Sequence, residues 1–364
     1  MNTYSQLNNS FFEKPATIPS GEKNNLYFGV YELIFNKNNE YTNHIADGYT
    51  LFGTQTLPYF TYFPYENVRF DVGGFFHKDF GNKNFTNIEP IISLQLKLDS
   101  LSITMGTLNG KFGHDLPEPM YNFERILNNR IENGAQATYS GKNTTFDAWL
   151  SWEKMLYAGD SIQEEVWGGF SSKTKLFSKN NFSATLPIQF TAEHHGGQID
   201  ASPLPILTWF IGTSGFILNW KISEDKFLRN IRTENYFFLF KDFSFEYRDK
   251  FQQGTALYVN STFETKHFDL TISYWQGDSY ISSHGGFLYN SRSTTYKHAD
   301  YVEKVRKILI IRFAQNIHIA GKLWLNMRFE PHYNFVTKTF EFSHGMYINL
   351  NQMFKIGNLK PYNF

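Results

Sequence analysis

The chain has 364 residues, no cysteine and a formal net charge of zero, and 18% of it is aromatic, with 38 Phe and 22 Tyr. The missing cysteines exclude disulfide frameworks and thiolate metal sites, and the charge balance gives no support for a nucleic-acid partner. Apolar runs such as Phe237–Phe240 and Ile308–Ile311 are only a few residues long, whereas a membrane helix needs about 20, so a helical membrane protein is excluded.

The chain opens with a polar, Pro-containing stretch, Met1–Asn25. It has neither the basic nor the apolar region of a secretory signal, so the sequence is read as a form from which the signal has been removed. The expected division is residues 1–25 as a periplasmic segment or plug and residues 26–364 as one barrel.

Beyond this stretch the pattern has a period of two. Ile92, Leu94, Leu96 and Leu98 share one face, opposite Ser93, Gln95 and Lys97. After an Asp99-Ser100 turn, Leu101, Ile103 and Met105 continue it. The same alternation runs through Phe182–Ala192, Leu323–Phe329 and Phe340–Leu350. A soluble sandwich alternates too, but these stretches run about 9–14 residues, the length a membrane strand requires. Aromatic residues crowd the strand ends, as at Tyr59–Tyr65, Trp149 with Trp152, and Tyr274 with Trp275, where interfacial girdles lie.

Connection lengths give the topology, because such barrels alternate short periplasmic turns with longer external loops. Short turns are expected near Pro64–Asn67, Asp99-Ser100, Gly141–Asn143, Ser178–Asn181, Lys241-Asp242, Thr265–His267 and Gly321-Lys322. Longer connections fall near Asn36–Gly48, Asp79–Asn87, Lys111–Asn129, Leu156–Gln163, His194–Ser202 and Gly277–Glu303. Strict alternation then makes Leu204–Ile222 a hairpin turning near Thr213-Ser214. The predicted fold is all-β: a transmembrane antiparallel up-and-down β-barrel of about 16–18 strands, with 18 preferred, in the cell outer membrane of a Gram-negative bacterium.

Two features carry a resemblance. The final Lys360-Pro361-Tyr362-Asn363-Phe364 resembles the assembly signal of outer-membrane barrel proteins. The segment Ser102–Tyr139, a strand, a long loop and another strand, is similar to porins, whose loop after the fifth strand folds into the barrel and narrows it. The chain departs from trimeric porins in lacking their acidic PEFGGD-like stretch. Its Asn-, Lys-, Phe- and Tyr-rich style looks like Bacteroidetes barrels. The resemblance implies a porin-like channel for passive diffusion of small hydrophilic solutes, with Asp115, Glu118, Glu124, Arg125 and Arg130 at the constriction. The alternative is a non-conducting scaffold subunit of an outer-membrane uptake, secretion or assembly complex. Outer-membrane lipid, lipopolysaccharide and small solutes are the expected partners, with a homo-oligomer or complex partners left open.

A pore needs inward polar groups, and the alternation sends Arg69, Asp71, Lys97, Glu246, Arg248, Arg312, Arg328, Glu330 and His332 to the lumen. Charges of both signs suit a transverse field across a channel, or paired charges filling it. The longest loop, Gly277–Glu303, reads as a solvated surface loop, or as an aromatic and basic surface for sugars or a protein.

Enzymatic and metal readings are weak. A lipase needs a hydroxyl, a histidine and an orienting group together on the lipid-facing surface. His194 and His344 point outward, but no outward Ser lies beside either in sequence. Glu193-His194-His195 sends neighbouring side chains to opposite faces, and His195-Gly196-Gly197 and His284-Gly285-Gly286 lack a nucleophile elbow. The expectation is therefore no enzyme, no catalytic residues, no metal and no cofactor.

Overall fold

The computed structural model describes residues 9–14, 16–108 and 112–359. Sixteen antiparallel strands form one closed barrel: β1 (Asn25–Glu40), β2 (Tyr49–Tyr65), β3 (Val68–Asp79), β4 (Asn87–Leu98), β5 (Leu101–Thr107), β6 (Asn133–Ser140), β7 (Thr144–Lys154), β8 (Glu165–Lys179), β9 (Phe182–His195), β10 (Leu207–Lys221), β11 (Leu228–Asp242), β12 (Gln253–Thr265), β13 (Asp269–Asp278), β14 (Val305–Ala320), β15 (Leu323–Asn334) and β16 (Thr339–Asn358). Each strand pairs with its sequence neighbours, and β16 closes on β1 from Asn25↔Asn358 to Glu40↔Phe342. The terminal residues 360–364, including Phe364, lie outside the described residues.

Closure satisfies every strand edge, which a sheet in hydrocarbon requires. The period-two pattern then sorts side chains between two environments. Outward residues such as Ile92, Leu94, Phe237 and Leu239 are about half exposed on the wall. Exposed apolar surface of that extent is lipid-facing. Short turns gather at one end with both strand termini, which is the periplasmic end, and the long connections gather at the other.

The count is sixteen, and the preferred eighteen is corrected. Leu207–Lys221 is one strand, pairing with β9 and β11 along its length. Thr213 and Ser214 form no turn there, because their hydroxyls donate to the Phe237 and Pro187 carbonyls. The expected turn at Lys241-Asp242 is also absent: β11 runs to Asp242, and a ten-residue external connection, 243–252, follows. Glu246 and Arg248 fall in that connection rather than on a strand facing the lumen. Glu246 is exposed, and Arg248 is tied to neighbouring loops.

Candidate functional site

The loop between β5 and β6 turns into the barrel. Its sharp entry uses left-handed backbone at Gly113 (φ 66°), His114 (φ 53°) and Asp115 (φ 58°), a conformation that costs a non-glycine residue free energy unless its surroundings hold it. They do. The His114 ring lies flat on Trp149 at 3.8 Å between centroids. Its Nδ1 is 2.9 Å from Asp147 and its Nε2 is 2.8 Å from Glu132. Burial opposes the charge on His114, but the two carboxylates more than reverse this and push its pKa up to about 10. Glu132 is held down at about 2: burial opposes its charge, and His114 and the Tyr121 hydroxyl outweigh that.

The loop then crosses the lumen. Leu116, Met120 and Tyr121 join an aromatic cluster with Trp149, Trp167, Trp275 and Tyr280. Phe123, Ile126 and Leu127, the last two in the single helical turn α1 (Arg125–Asn128), join a second cluster with Tyr31, Phe35 and Tyr347 on the opposite wall. The longest connection, 279–304 between β13 and β14, packs against this first loop, which corrects the expectation of a solvated surface loop. Tyr280 donates to the Pro119 carbonyl at 2.9 Å, and Asn122 N–H to the His284 carbonyl at 2.7 Å. A Cβ on Gly285 would meet the Pro119 carbonyl at 2.0 Å, so only glycine allows this approach. Tyr296, at 95% exposure, marks the part that does reach solvent. From the periplasmic end, residues 9–14 enter as well, and Phe12 is fully buried beneath Tyr31, Phe123 and Tyr347.

The five loop residues expected at a constriction all lie on this inward fold, each already engaged. Asp115 is 3.6 Å from Lys173. Glu118 accepts from Arg312 and from Tyr289. Glu124 accepts from Asn39 and Tyr49. Arg125 pairs with Glu153 at 2.8 Å, and Arg130 donates to the Phe12 carbonyl. Of the predicted wall residues, Arg312 and Glu330 come together at 3.2 Å, and Lys37 reaches Glu330 at 2.7 Å. Arg69 and Asp71 pair at 2.9 Å beside Lys14. Arg328 lies over the Phe123 ring, and His332 meets Glu341 at 3.1 Å. Lys97 lines a cavity of about 610 Å³ at the periplasmic end, with Lys142, Lys173 and Lys175.

Two hydroxyl–imidazole pairs were missed by the sequence reading. Inside, Ser283 Oγ is 2.9 Å from His284 Nδ1, and His284 Nε2 is 2.9 Å from Glu153. Burial opposes the His284 charge, yet hydrogen bonds to Glu153 and Glu193 raise its pKa overall. Two carboxylates favour the charged form of His284, which suits an ion-pair strut better than a proton acceptor. Outside, at the extracellular end of the wall, His194 Nδ1 lies 3.0 Å from Thr208 Oγ1. β9 and β10 bring the two opposite one another, and Thr208 N–H is fixed by Ser244 Oγ at 2.8 Å. His344 also faces outward, opposite Asn38 on β1.

A closed, lipid-facing barrel whose lumen is crossed by inward loops has the fold of outer-membrane channels, and the protein resides in the outer membrane. Residues 18–359 match the family described as Lipid A 3'-O-deacylase-type, and the chain belongs to that family. This overturns the expectation that it is no enzyme. That expectation searched for a hydroxyl beside each outward histidine in sequence, whereas strand pairing sets Thr208 beside His194. No curated protein matches the chain. Among solved structures, it is similar to Pseudomonas aeruginosa OprD (8% identity, 93% of this chain and 97% of that one, TM-score 0.53). It is also similar to OccK11 (OpdR) of the same organism (8%, 94% and 100%, TM-score 0.51) and to its OpdK solved with vanillate (8%, 92% and 100%, TM-score 0.51). At such identity the likeness is one of fold.

Proposed function

We propose that the protein is an outer-membrane hydrolase that removes an ester-linked acyl chain from lipid A, working on the outer wall of the barrel at the level of the outer-leaflet headgroups. The family match over residues 18–359 carries this reading. Two features of the fold support it. Inward loops and Phe12 occupy the middle of the lumen, which wall chemistry does not need open. And His194 with Thr208 sits on the lipid-facing surface near the extracellular rim.

In this reading His194 is the catalytic base and Thr208 a positioning residue. The tautomer this reading requires has Nδ1–H donating to Thr208 Oγ1, which keeps a lone pair on Nε2. Nε2 takes a proton from water as the water oxygen attacks the ester carbonyl. The carbon–oxygen bond to the sugar breaks, and the departing oxygen takes that proton, giving an alcohol and a free fatty acid. Purified protein mixed with lipid A vesicles should release fatty acid, read by mass spectrometry, and His194→Ala should abolish the release in a barrel that still shows its heat-dependent gel shift. Wild-type protein that releases no acid from lipid A overturns the reading.

The periplasmic cavity favours a second reading: a porin-like route for small hydrophilic solutes past the loop after β5, with Asp115, Glu118, Glu124, Arg125 and Arg130 at its narrowest part and residues 1–25 as a periplasmic plug. Steady conductance steps in a planar bilayer support this route, and a silent, folded barrel removes it.

A further inference from the structure

Three neighbouring external connections, 155–164, 196–206 and 243–252, are locked into one unit. Gln163, 5% exposed, is the hub. Its Nε2 donates to Asp200 at 2.9 Å and to the Leu204 carbonyl at 3.1 Å. Its Oε1 accepts from Arg248, which also donates to the Pro205 carbonyl. Backbone bonds add to the lock: Gly196 N–H to the Glu164 carbonyl at 2.9 Å and Phe243 N–H to the Thr208 carbonyl at 2.8 Å. A buried amide from one loop, carbonyls from the second and a guanidinium from the third thus hold all three in place.

This unit presents apolar side chains to the outside. Met155, Tyr157, Ile199, Leu204, Phe243 and Phe245 are all exposed, Phe245 at 97%. By contrast, the connection between β1 and β2 buries its Ile45 and Ala46. External loops surrounded by water gain nothing from fixed, uncovered apolar groups, so a concentration of them marks a contact surface. What covers it follows from continuity. The same three loops rise from β7, β9 and β11, whose outward Leu150, Trp152, Phe190 and Leu239 face lipid directly below. The apolar surface therefore continues past the end of the wall on this side, with the His194–Thr208 pair at its foot.

We propose that the three-loop platform holds an acyl chain of an outer-leaflet lipid above the hydrocarbon boundary and so brings its ester to His194. This rests on the hydrolase reading and assigns it a substrate-positioning surface. Lys241, on the outward face of β11 one strand from Thr208, adds a cation suited to a lipid phosphate. Rigid loops suit this role, because a preorganised surface holds a flexible chain without first being ordered itself.

The test uses the full barrel carrying Phe245→Ser with Leu204→Ser, beside Gln163→Ala, which leaves the apolar side chains but unties the loops. Lipid A co-purifying with each protein is weighed by mass spectrometry, and hydrolysis is followed on lipid A vesicles and on a water-soluble short-chain ester. Expected in both are a KM on vesicles raised about tenfold and less retained lipid, with kinetics on the soluble ester unchanged in the double serine variant. Active wild type with unchanged retention and KM in both variants overturns the platform and leaves the hydrolase standing. Inactive wild type whose variants still lose lipid overturns the hydrolase and leaves a lipid-holding surface. A wild-type dimer that the double variant converts to monomers assigns the surface to a second copy and overturns the lipid assignment.

Discussion

The middle of the lumen and its periplasmic end are walled by the same strands under the same alternation, yet one is filled and the other holds about 610 Å³ of space. The middle gathers Trp149, Trp167 and Trp275 on one wall and Tyr31, Phe35 and Tyr347 on the other, with the loop after β5 bridging them and Tyr280 of the 279–304 connection packed beside it. The periplasmic end keeps Lys97, Lys142 and Lys175 around open space. Alternation decides which side chains face inward. Connection length decides whether anything meets them there, since only the external connections are long enough to fold back.

The largest effect should come from erasing that difference. Deleting Leu116–Ile126 removes residues of both clusters, and single-channel steps in a planar bilayer should become severalfold larger than those of the full chain. Unchanged conductance would show that the loop is not the barrier.

Next is Arg312, which joins the loop through Glu118 and the wall through Glu330. Arg312→Met takes the cation from between Glu118 and Glu330, leaving Glu330 with Lys37 and Glu118 with the Tyr289 hydroxyl, a change that costs up to about 3 kcal/mol. The temperature at which the barrel loses its compact gel mobility should fall markedly, and Arg312→Lys should recover only part, because one ammonium cannot reproduce the guanidinium fork. A wild-type transition temperature in Arg312→Met would break the link between loop and wall.

The clamp at His114 gives a smaller effect that depends on pH. Its pKa rises from 6.5 to about 10 on folding, so its contribution is complete below about pH 6.5 and is lost as pH climbs toward 10. Glu132 falls from 4.5 to about 2, so its contribution is complete above about pH 4.5 and is lost as pH drops toward 2. Corrected for intrinsic rates, hydrogen exchange of amides in 112–132 should be slowest between these limits, and His114→Phe should flatten the rise above pH 6.5. Smallest is Lys97→Glu, which should move the reversal potential of any conducting barrel toward cation preference. An unmoved potential would detach the periplasmic cavity from the conduction route.

Much of this was legible in the sequence. The period of two decides which strand side chains turn inward, as at Arg69, Asp71, Arg312, Arg328 and His332, which are buried, whereas the inward loop after β5 is implied by the resemblance to porins and not by spacing. The misreadings share a physical origin. Strict alternation of short and long connections asks for a turn at Thr213-Ser214, but in the wall these hydroxyls donate to neighbouring strand carbonyls. A short turn at Lys241-Asp242 is what makes that hairpin necessary, and it puts Glu246 and Arg248 on a strand instead of in the 243–252 connection. The His194–Thr208 pair was invisible for a different reason: partners across a ladder lie as far apart in sequence as their turn or loop dictates, so a hydroxyl next to a histidine in space need not be near it in the chain.

The meeting of β1 and β16 has a consequence for how such a wall comes to exist. Joining the two ends of the strand series closes a loop spanning nearly the whole polypeptide, and the entropy lost grows with the logarithm of that span, reaching about 5 kcal/mol. Against this stands a long run of paired residues from Asn25 to Glu40. Until that seam zips, two strand edges with unpaired amides and carbonyls face hydrocarbon that offers them no hydrogen bonds. A chain ending before Thr339 has no partner for β1, and its cost is a whole row of unpaired backbone groups rather than one strand's share of stability.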